Sequence, residues 1–455
     1  IVTPLVTGGL ARFYYRPDYR GRRAVLLFNL SLLLAGLAVA LAATWFALAP
    51  GMSRVLLGDA GSGNPVSLVR LYALVLLLWP IWQLLTSFVR LRDRAAFFAA
   101  VSIGEGLVTG AVVIVAMTVL RLGVLAPVWG LIAGMAFTSL LCTPTLLRHC
   151  RFRLRPHLLA EPLRFGCPLL PMGLSRLVMQ LGDRYVLRVL VPLGQLGLYS
   201  LGYSLAEVID TAVGTPVHAG ADPAIRRLEA DPQRQRRFIR SSATLYYALA
   251  LLAGLLLSLY AREVVMLLAR DRSFWPCWVV IPVVAFAFVQ QVLGFFLDWG
   301  MIMTNKAYHI SGTLIASAAA NLALNFALIP LWGILGAAAA TLISYTLWNV
   351  LRAHYSAKFY RLRLDGGRLV RMTLLAVALY LPSVALPAEW ALATAVAVKA
   401  ALAAAFPLLC YALVLRPAQR ARLRRFVRTL RTSGPRAALR DLVAEGPFDP
   451  PGPAH

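Results

Sequence analysis

The chain has 455 residues, 60% of them hydrophobic and only 14% charged, yet its formal net charge is +26. That balance excludes a disordered chain, which would be poor in apolar residues, and an ordinary soluble domain, which would carry more charge. Nucleic-acid binding is excluded by placement, because the basic residues are spread over many gaps between apolar segments instead of forming one patch.

A transmembrane helix needs roughly 20 mostly apolar residues to cross the hydrocarbon core. Taken in chain order, twelve segments meet that length, at about 24–49, 66–89, 97–120, 123–146, 165–190, 195–218, 241–260, 278–300, 307–329, 333–351, 372–387 and 391–415. They are continuous apolar runs without the alternation of barrel strands, so helices are the structure that satisfies their backbone in lipid. The expected fold class is an all-α polytopic membrane protein of about twelve transmembrane helices.

Lys and Arg concentrate in cytoplasmic loops. Of the 45 basic residues, 35 lie before the first span, in every second gap and in the tail, against five in the intervening gaps and five inside spans. Both termini of this chain are therefore expected on the cytoplasmic side of the membrane. Ile1 to Leu10 has no initiating Met and no basic n-region, so no cleavable signal is expected there.

The cysteines Cys142, Cys150, Cys167, Cys277 and Cys410 are scattered, with no C-x-x-C pair, and the six histidines show no ligand spacing. Neither a metal centre nor a disulfide framework is expected, and no cofactor. The sequence also lacks H-E-x-x-H, a Walker loop and G-x-S-x-G. All gaps are short, which leaves no soluble domain to house a catalytic site, so the protein is not expected to be an enzyme.

An internal repeat is suggested by Pro127-Val128-Trp129-Gly130 and Pro330-Leu331-Trp332-Gly333, an offset of 203 residues at which Ala136 also matches Ala339 and Thr138 matches Thr341. Thr3-Pro4 and Gly8 echo Thr215-Pro216 and Gly220 at an offset of 212. A true repeat would pair the first four spans with the seventh to tenth and leave the fifth and sixth without counterparts. Two helices would then be absent from the N-terminal half. Chance likeness between apolar helices is the alternative. Repeated helical halves with a route between them are a transporter signature.

The stretch Gly182-Asp183-Arg184-Tyr185, running on to Gln195, Gly197, Tyr199 and Tyr203, resembles polysaccharide and lipopolysaccharide flippases of the multidrug/oligosaccharidyl-lipid/polysaccharide exporter superfamily. So does Asn321-Leu322-Ala323-Leu324-Asn325, which leads into Gly333, Gly336, Thr341 and Tyr345. The resemblance implies two pseudo-symmetric six-helix lobes around a cavity, often with two further helices, and alternating access that carries a lipid-linked sugar outward. On that frame, 1–146 is an incomplete N-terminal lobe of four helices, 147–164 a cytoplasmic linker and 165–355 a six-helix C-terminal lobe. The extra pair is 372–415 and the basic cytoplasmic tail 416–455, its end expected to be disordered. The chain departs from the family pattern in lacking the first two helices.

Ionisable residues inside spans are costly, and function should show there. On the fifth span Arg176, Gln180, Asp183 and Arg184 fall within about 100° of helix surface; on the sixth, Tyr199, Tyr203, Glu207 and Asp210 do the same. Arg176, Gln180, Asp183, Arg184, Tyr203, Glu207 and Asp210 are the candidate substrate-binding residues, a guanidinium being suited to grip a pyrophosphate with two parallel hydrogen bonds. An Arg176 to Glu207 ion pair that merely holds the hairpin is the alternative. Glu105 and Asp298 are candidate ion-coupling sites or else helix-joining groups. Lys399 is expected to snorkel, and Leu423, Phe426, Val427 and Leu430 to form an amphipathic surface helix.

These features predict a flippase that moves an undecaprenyl-type lipid-linked oligosaccharide across the cytoplasmic membrane for cell-surface polysaccharide assembly. Its expected partners are that substrate, membrane lipids, and a polysaccharide polymerase or glycosyltransferases. The alternatives are a drug/cation antiporter of the same superfamily and a membrane enzyme of polysaccharide assembly.

Overall fold

The computed structural model describes residues 22–57, 65–91, 95–160, 163–164, 170–229, 231–304, 306, 308–362, 364–384, 392–414 and 420. The expected surface helix at 423–430, the opening Thr3-Pro4 motif and the end of the tail lie outside these residues.

The described residues form fourteen α-helices. They are α1 (Arg23–Leu57), α2 (Pro65–Leu91), α3 (Ala95–Thr118), α4 (Ala126–Leu147), α5 (Leu170–Leu190), α6 (Leu193–Ile209) and α7 (Thr215–Arg227). After them come α8 (Pro232–Leu259), α9 (Ala261–Leu268), α10 (Ile281–Met303), α11 (Tyr308–Trp332), α12 (Ile334–Tyr360), α13 (Gly366–Val384) and α14 (Leu392–Leu409). Ten helical segments are long and apolar enough to cross a membrane. They correspond to the expected spans with two exceptions, α5 and α6. Both helices form where expected, but α5 carries Arg176, Asp183, Arg184 and Arg188 within 21 residues, and α6 is only 17 residues long. A polar stripe that suits a cavity lowers the apolar content by which a span is recognised.

The chain divides into two compact units, Ile1–Leu174 and Ser175–His455. In the first, α1 packs on α2, α2 on α4 and α3 on α4. Lipid offers little hydrophobic drive between helices, so close backbone approach and interhelical hydrogen bonds take its place. Gly130 and Gly134 supply the approach: a Cβ on either would fall 2.9 Å from the Thr109 carbonyl oxygen or 2.1 Å from its Oγ1. Trp45 donates to the Val69 carbonyl at 2.7 Å and joins α1 to α2. Buried Asn29 fixes the segment after α4, donating to the Arg153 carbonyl and accepting from the Arg155 N–H, both at 2.8 Å.

In the second unit α10 is the most enclosed span, packed by α12, α8 and α6. Gly294 and Gly300 bring α10 against α12, where a Cβ would stand 1.9 Å from the Arg352 guanidinium or the Ser356 hydroxyl. Helices α11 and α12 form a tight hairpin through Gly333, whose φ of 55° lies in the left-handed region that favours glycine. Outside the spans, Asp231 caps α8 by accepting from the Gln233 and Arg234 N–H groups at 3.1 and 3.0 Å.

Two sequence expectations change. The two copies of the Pro-x-Trp-Gly motif matched in the expected repeat sit differently, because Pro127 and Gly130 lie in the first turns of α4 whereas Pro330 sits in the last turn of α11 and Gly333 is the turn itself. Helix α12 also runs on to Tyr360, so Arg352, expected in a loop, lies within the helix and is 4% exposed.

Candidate functional site

The charged and aromatic residues of α5, α6, α10 and α12 meet inside the second unit. Asp183 of α5 is fully buried and accepts from the Tyr199 hydroxyl of α6, which is also fully buried. Its other oxygen accepts from the Arg184 N–H at 2.7 Å. The Arg184 guanidinium donates to the Gln180 carbonyl at 2.7 Å and lies over the Tyr203 ring, 4.3 Å from its centre. Asp183 and Tyr203 are thus covered in this conformation, and Arg184 is half-buried against them. Asn321 and Asn325 of α11 are buried and bond to each other at 3.0 Å within that helix, with the Asn321 side chain beside Gly182 of α5.

From Tyr203 a line of rings crosses the unit: Phe288 at 5.4 Å, then Tyr345 at 6.5 Å and Trp348 at 6.0 Å. Its far end is Arg352, which lies over Trp348 at 3.3 Å and is ion-paired with Asp298 of α10 at 2.9 Å.

Helix α6 ends in a π-helical turn, Asp210–Gly214, before α7 begins. Such turns re-aim side chains and recur at functional sites. Here the turn lays the Asp210 carboxylate over Gly214, where a Cβ would come within 2.4 Å of it, and Gln291 of α10 donates to it at 3.4 Å. Glu207, one turn earlier and half-buried, lies within electrostatic reach of Asp210 and Tyr203.

Arg176 and Gln180 are exposed. Arg176 lies within electrostatic reach of Asp210, His218, Asp298, Tyr345 and Arg352, groups carried by α7, α10, α12 and the turn between α6 and α7. Among the described residues no carboxylate comes within ion-pair distance of it, Glu207 included. With Asp298 matched to Arg352, the open groups are one guanidinium and two carboxylates, Glu207 and Asp210. The lining is mixed in charge rather than uniformly basic.

Sequence reasoning missed Arg352, Trp348, Tyr345, His218 and Gln291. A signal existed: Thr341, Tyr345, Trp348, Arg352 and Ser356 recur at helical spacing on one buried face of α12. His218, stacked on Phe295 at 4.3 Å, offered none beyond its residue type.

Two expected residues lie elsewhere. Glu105, in the first unit, accepts from Trp82 of α2 at 3.1 Å and from Thr138 of α4 at 2.9 Å through one oxygen. Lys399 of α14 is ion-paired with Glu263 of α9 and lies 5.8 Å from the Tyr260 ring centre.

Membrane-length helices around a charged, aromatic-lined interior define the protein as a multi-pass helical membrane protein. Residues 25–272 match the family of polysaccharide biosynthesis proteins, more than half of the chain, and the chain belongs to that family. Comparison with curated proteins finds no match. Among solved structures the chain is similar to the lipid II flippase MurJ in its inward closed conformation, with a TM-score of 0.63, 11% identity, and 90% of this chain and 89% of that one covered. It is similar to a MATE transporter in the bent conformation at a TM-score of 0.59 and 14% identity, covering 79% and 84% of the two chains. It is also similar to a MOP superfamily transporter from Pyrococcus furiosus at a TM-score of 0.51 and 15% identity, covering 78% and 84%. At such identities the likeness shows the fold alone, and that fold is the one of the MOP superfamily, a multi-pass helical membrane architecture.

Proposed function

We propose that the protein is a flippase that carries a lipid-linked oligosaccharide from the cytoplasmic to the outer leaflet for cell-surface polysaccharide assembly. The observation that carries this reading is Arg176, an exposed guanidinium without an ion-pair partner among the described residues, within electrostatic reach of Asp210 and Asp298. A guanidinium left open in a membrane protein is costly unless water or a ligand answers it. A pyrophosphate does so with two parallel hydrogen bonds.

The rest of the lining fits the sugar. Glu207 and Asp210 accept hydrogen bonds from hydroxyl groups, and Gln291 donates. Asp183 acts at one remove, since it is sealed with Tyr199 and holds the Arg184 backbone. Asp298 and Glu105 are read as helix-joining groups, not as ion-coupling sites. The two lobes, the added pair α13–α14, and both chain termini on the cytoplasmic side belong to the same proposal. So does its placement beside polymerase and glycosyltransferases as a carrier that performs no chemistry itself.

The two open carboxylates favour a second reading, a drug/cation antiporter. Arg176→Ala separates them. A flippase with this substitution inserts normally but loses surface polysaccharide, with resistance to cationic drugs unchanged. Normal polymer output from the variant removes Arg176 from the mechanism, and a change in cationic drug efflux transfers the site to the second reading.

A further inference from the structure

Helices α10, α12 and α13 border an open groove of about 1090 Å³ in the second unit. Its walls are apolar: α10 contributes Phe286, Leu293 and Leu297, and α13 contributes Leu369, Val370 and Leu374. Along α12 the lining runs from Leu342 to Ala357, roughly 22 Å at 1.5 Å per residue. The polar groups that reach it are already committed, since Tyr247 and Thr373 share a hydrogen bond at 2.8 Å and Asn349 donates to the Gln290 carbonyl at 2.6 Å.

One end of the groove is different. There it is closed by Leu362, Leu364 and Gly366, in and just after the α12–α13 connection. Lys358, Arg361 and Arg371 stand beside these lining residues in the chain, and all three are exposed. The neighbouring carboxylates do not cancel them, because Asp365 is ion-paired with Arg368 at 3.0 Å and Asp298 with Arg352 at 2.9 Å. On the α8 side Glu229 and Arg236 both act on Tyr360 and offset each other. The open charge at this rim is positive.

We infer that this groove is a binding site for one anionic phospholipid, with an acyl chain along α12 and the phosphate at Arg361 and Arg371. The walls are helices of membrane-spanning length, so hydrocarbon is the medium that meets them, and a fissure left empty would forfeit dispersion contacts along its whole lining. A length of roughly 22 Å matches one acyl chain better than a compact solute. The rim cations then discriminate among headgroups, as basic pockets between helices do at an anionic leaflet. The groove's lining includes neither Arg176 nor Glu207 nor Asp210, and the inference does not depend on which substrate is carried.

The test is native mass spectrometry of the full chain in detergent, equilibrated with mixed phosphatidylglycerol and phosphatidylcholine. The wild type retains one phosphatidylglycerol in preference to phosphatidylcholine. Each rim arginine contributes roughly a fivefold preference, so Arg361→Ala with Arg371→Ala lowers phosphatidylglycerol affinity roughly 30-fold. Val350→Trp, which fills the groove from α12, lowers retention of both lipids, whereas Arg148→Ala with Arg151→Ala in the first unit changes neither. Equal retention of the two lipids by the wild type overturns the inference. So does unchanged retention by both groove variants, or displacement of phosphatidylglycerol by a polyprenyl phosphate, which would assign the groove to a transported lipid.

Discussion

Arg352 illustrates how a charged residue behaves once a helix carries it indoors. In the sequence it falls among basic residues that read as one inner-face loop, and charge counting alone places it there. In the structure it is enclosed by Trp348, Asp298 and the gap at Gly294, with side-chain exposures of 4% for Arg352 and 18% for Asp298. Removing one member of a buried pair leaves the other charge without compensation, at about 3–5 kcal/mol, whereas replacing both by apolar groups of similar size is near neutral. Arg352→Met should therefore lower thermal stability in detergent strongly, and Arg352→Met with Asp298→Leu should recover most of it. Equal losses in the single and double variants would mean that the two residues are not energetically linked. Arg176 is the contrast: sequence reasoning picked it out because it sits mid-segment on a polar stripe. The groups around it were not legible, since His218 and Arg352 arrive from other helices and only tertiary packing brings them near.

At the scale of the element, what holds α10 to α12 is the absence of side chains at two positions. A Cβ at Gly300 would lie 1.9 Å from the Ser356 hydroxyl oxygen and 2.8 Å from the Ser356 Cα, so the backbone itself must move to admit it. Overpacking of this kind costs about 1–3 kcal/mol. Gly300→Ala should lower the melting temperature in detergent, while Gly36→Ala, where nothing lies within 4 Å, should leave it unchanged or raise it slightly. A wild-type melting curve for Gly300→Ala would show that α12 shifts freely against α10. The helices themselves were legible because a span announces itself by length and apolarity. The boundaries were less so: α6 was expected to run unbroken through 195–218, and the structure breaks it with a π turn at Asp210–Gly214. That turn leaves no trace in hydropathy, because it depends on how the Asp210 carboxylate folds back over Gly214.

For the whole molecule, orientation is the property that the sequence states with most redundancy, since 35 basic residues against five outweigh any single misplaced one, Arg352 included. Moving Arg352 from loop to helix interior changes one segment's count and leaves the alternation intact. Insertion reads such sums over short loops near span ends, so the topology is robust where individual residue roles are not. The expected arrangement puts the α4–α5 and α12–α13 connections on the cytoplasmic side, and the α3–α4 and α9–α10 connections outside. Single cysteines introduced into a cysteine-free background check this, because Arg121, Arg148, Arg155 and Leu268 are all exposed and lie in connections or at helix ends. In intact cells a membrane-impermeant maleimide should label Arg121→Cys and Leu268→Cys, and should label Arg148→Cys and Arg155→Cys only after permeabilisation. The opposite pattern would invert the protein in the membrane and turn the basic rim of the α12–α13 groove toward the outer leaflet. Labelling of all four from outside would break the alternation, and with it the reading of the gaps as topology. Because the charge pattern rather than any one arginine carries the claim, a mixed result confined to one connection would relocate that connection and leave the remaining spans in place.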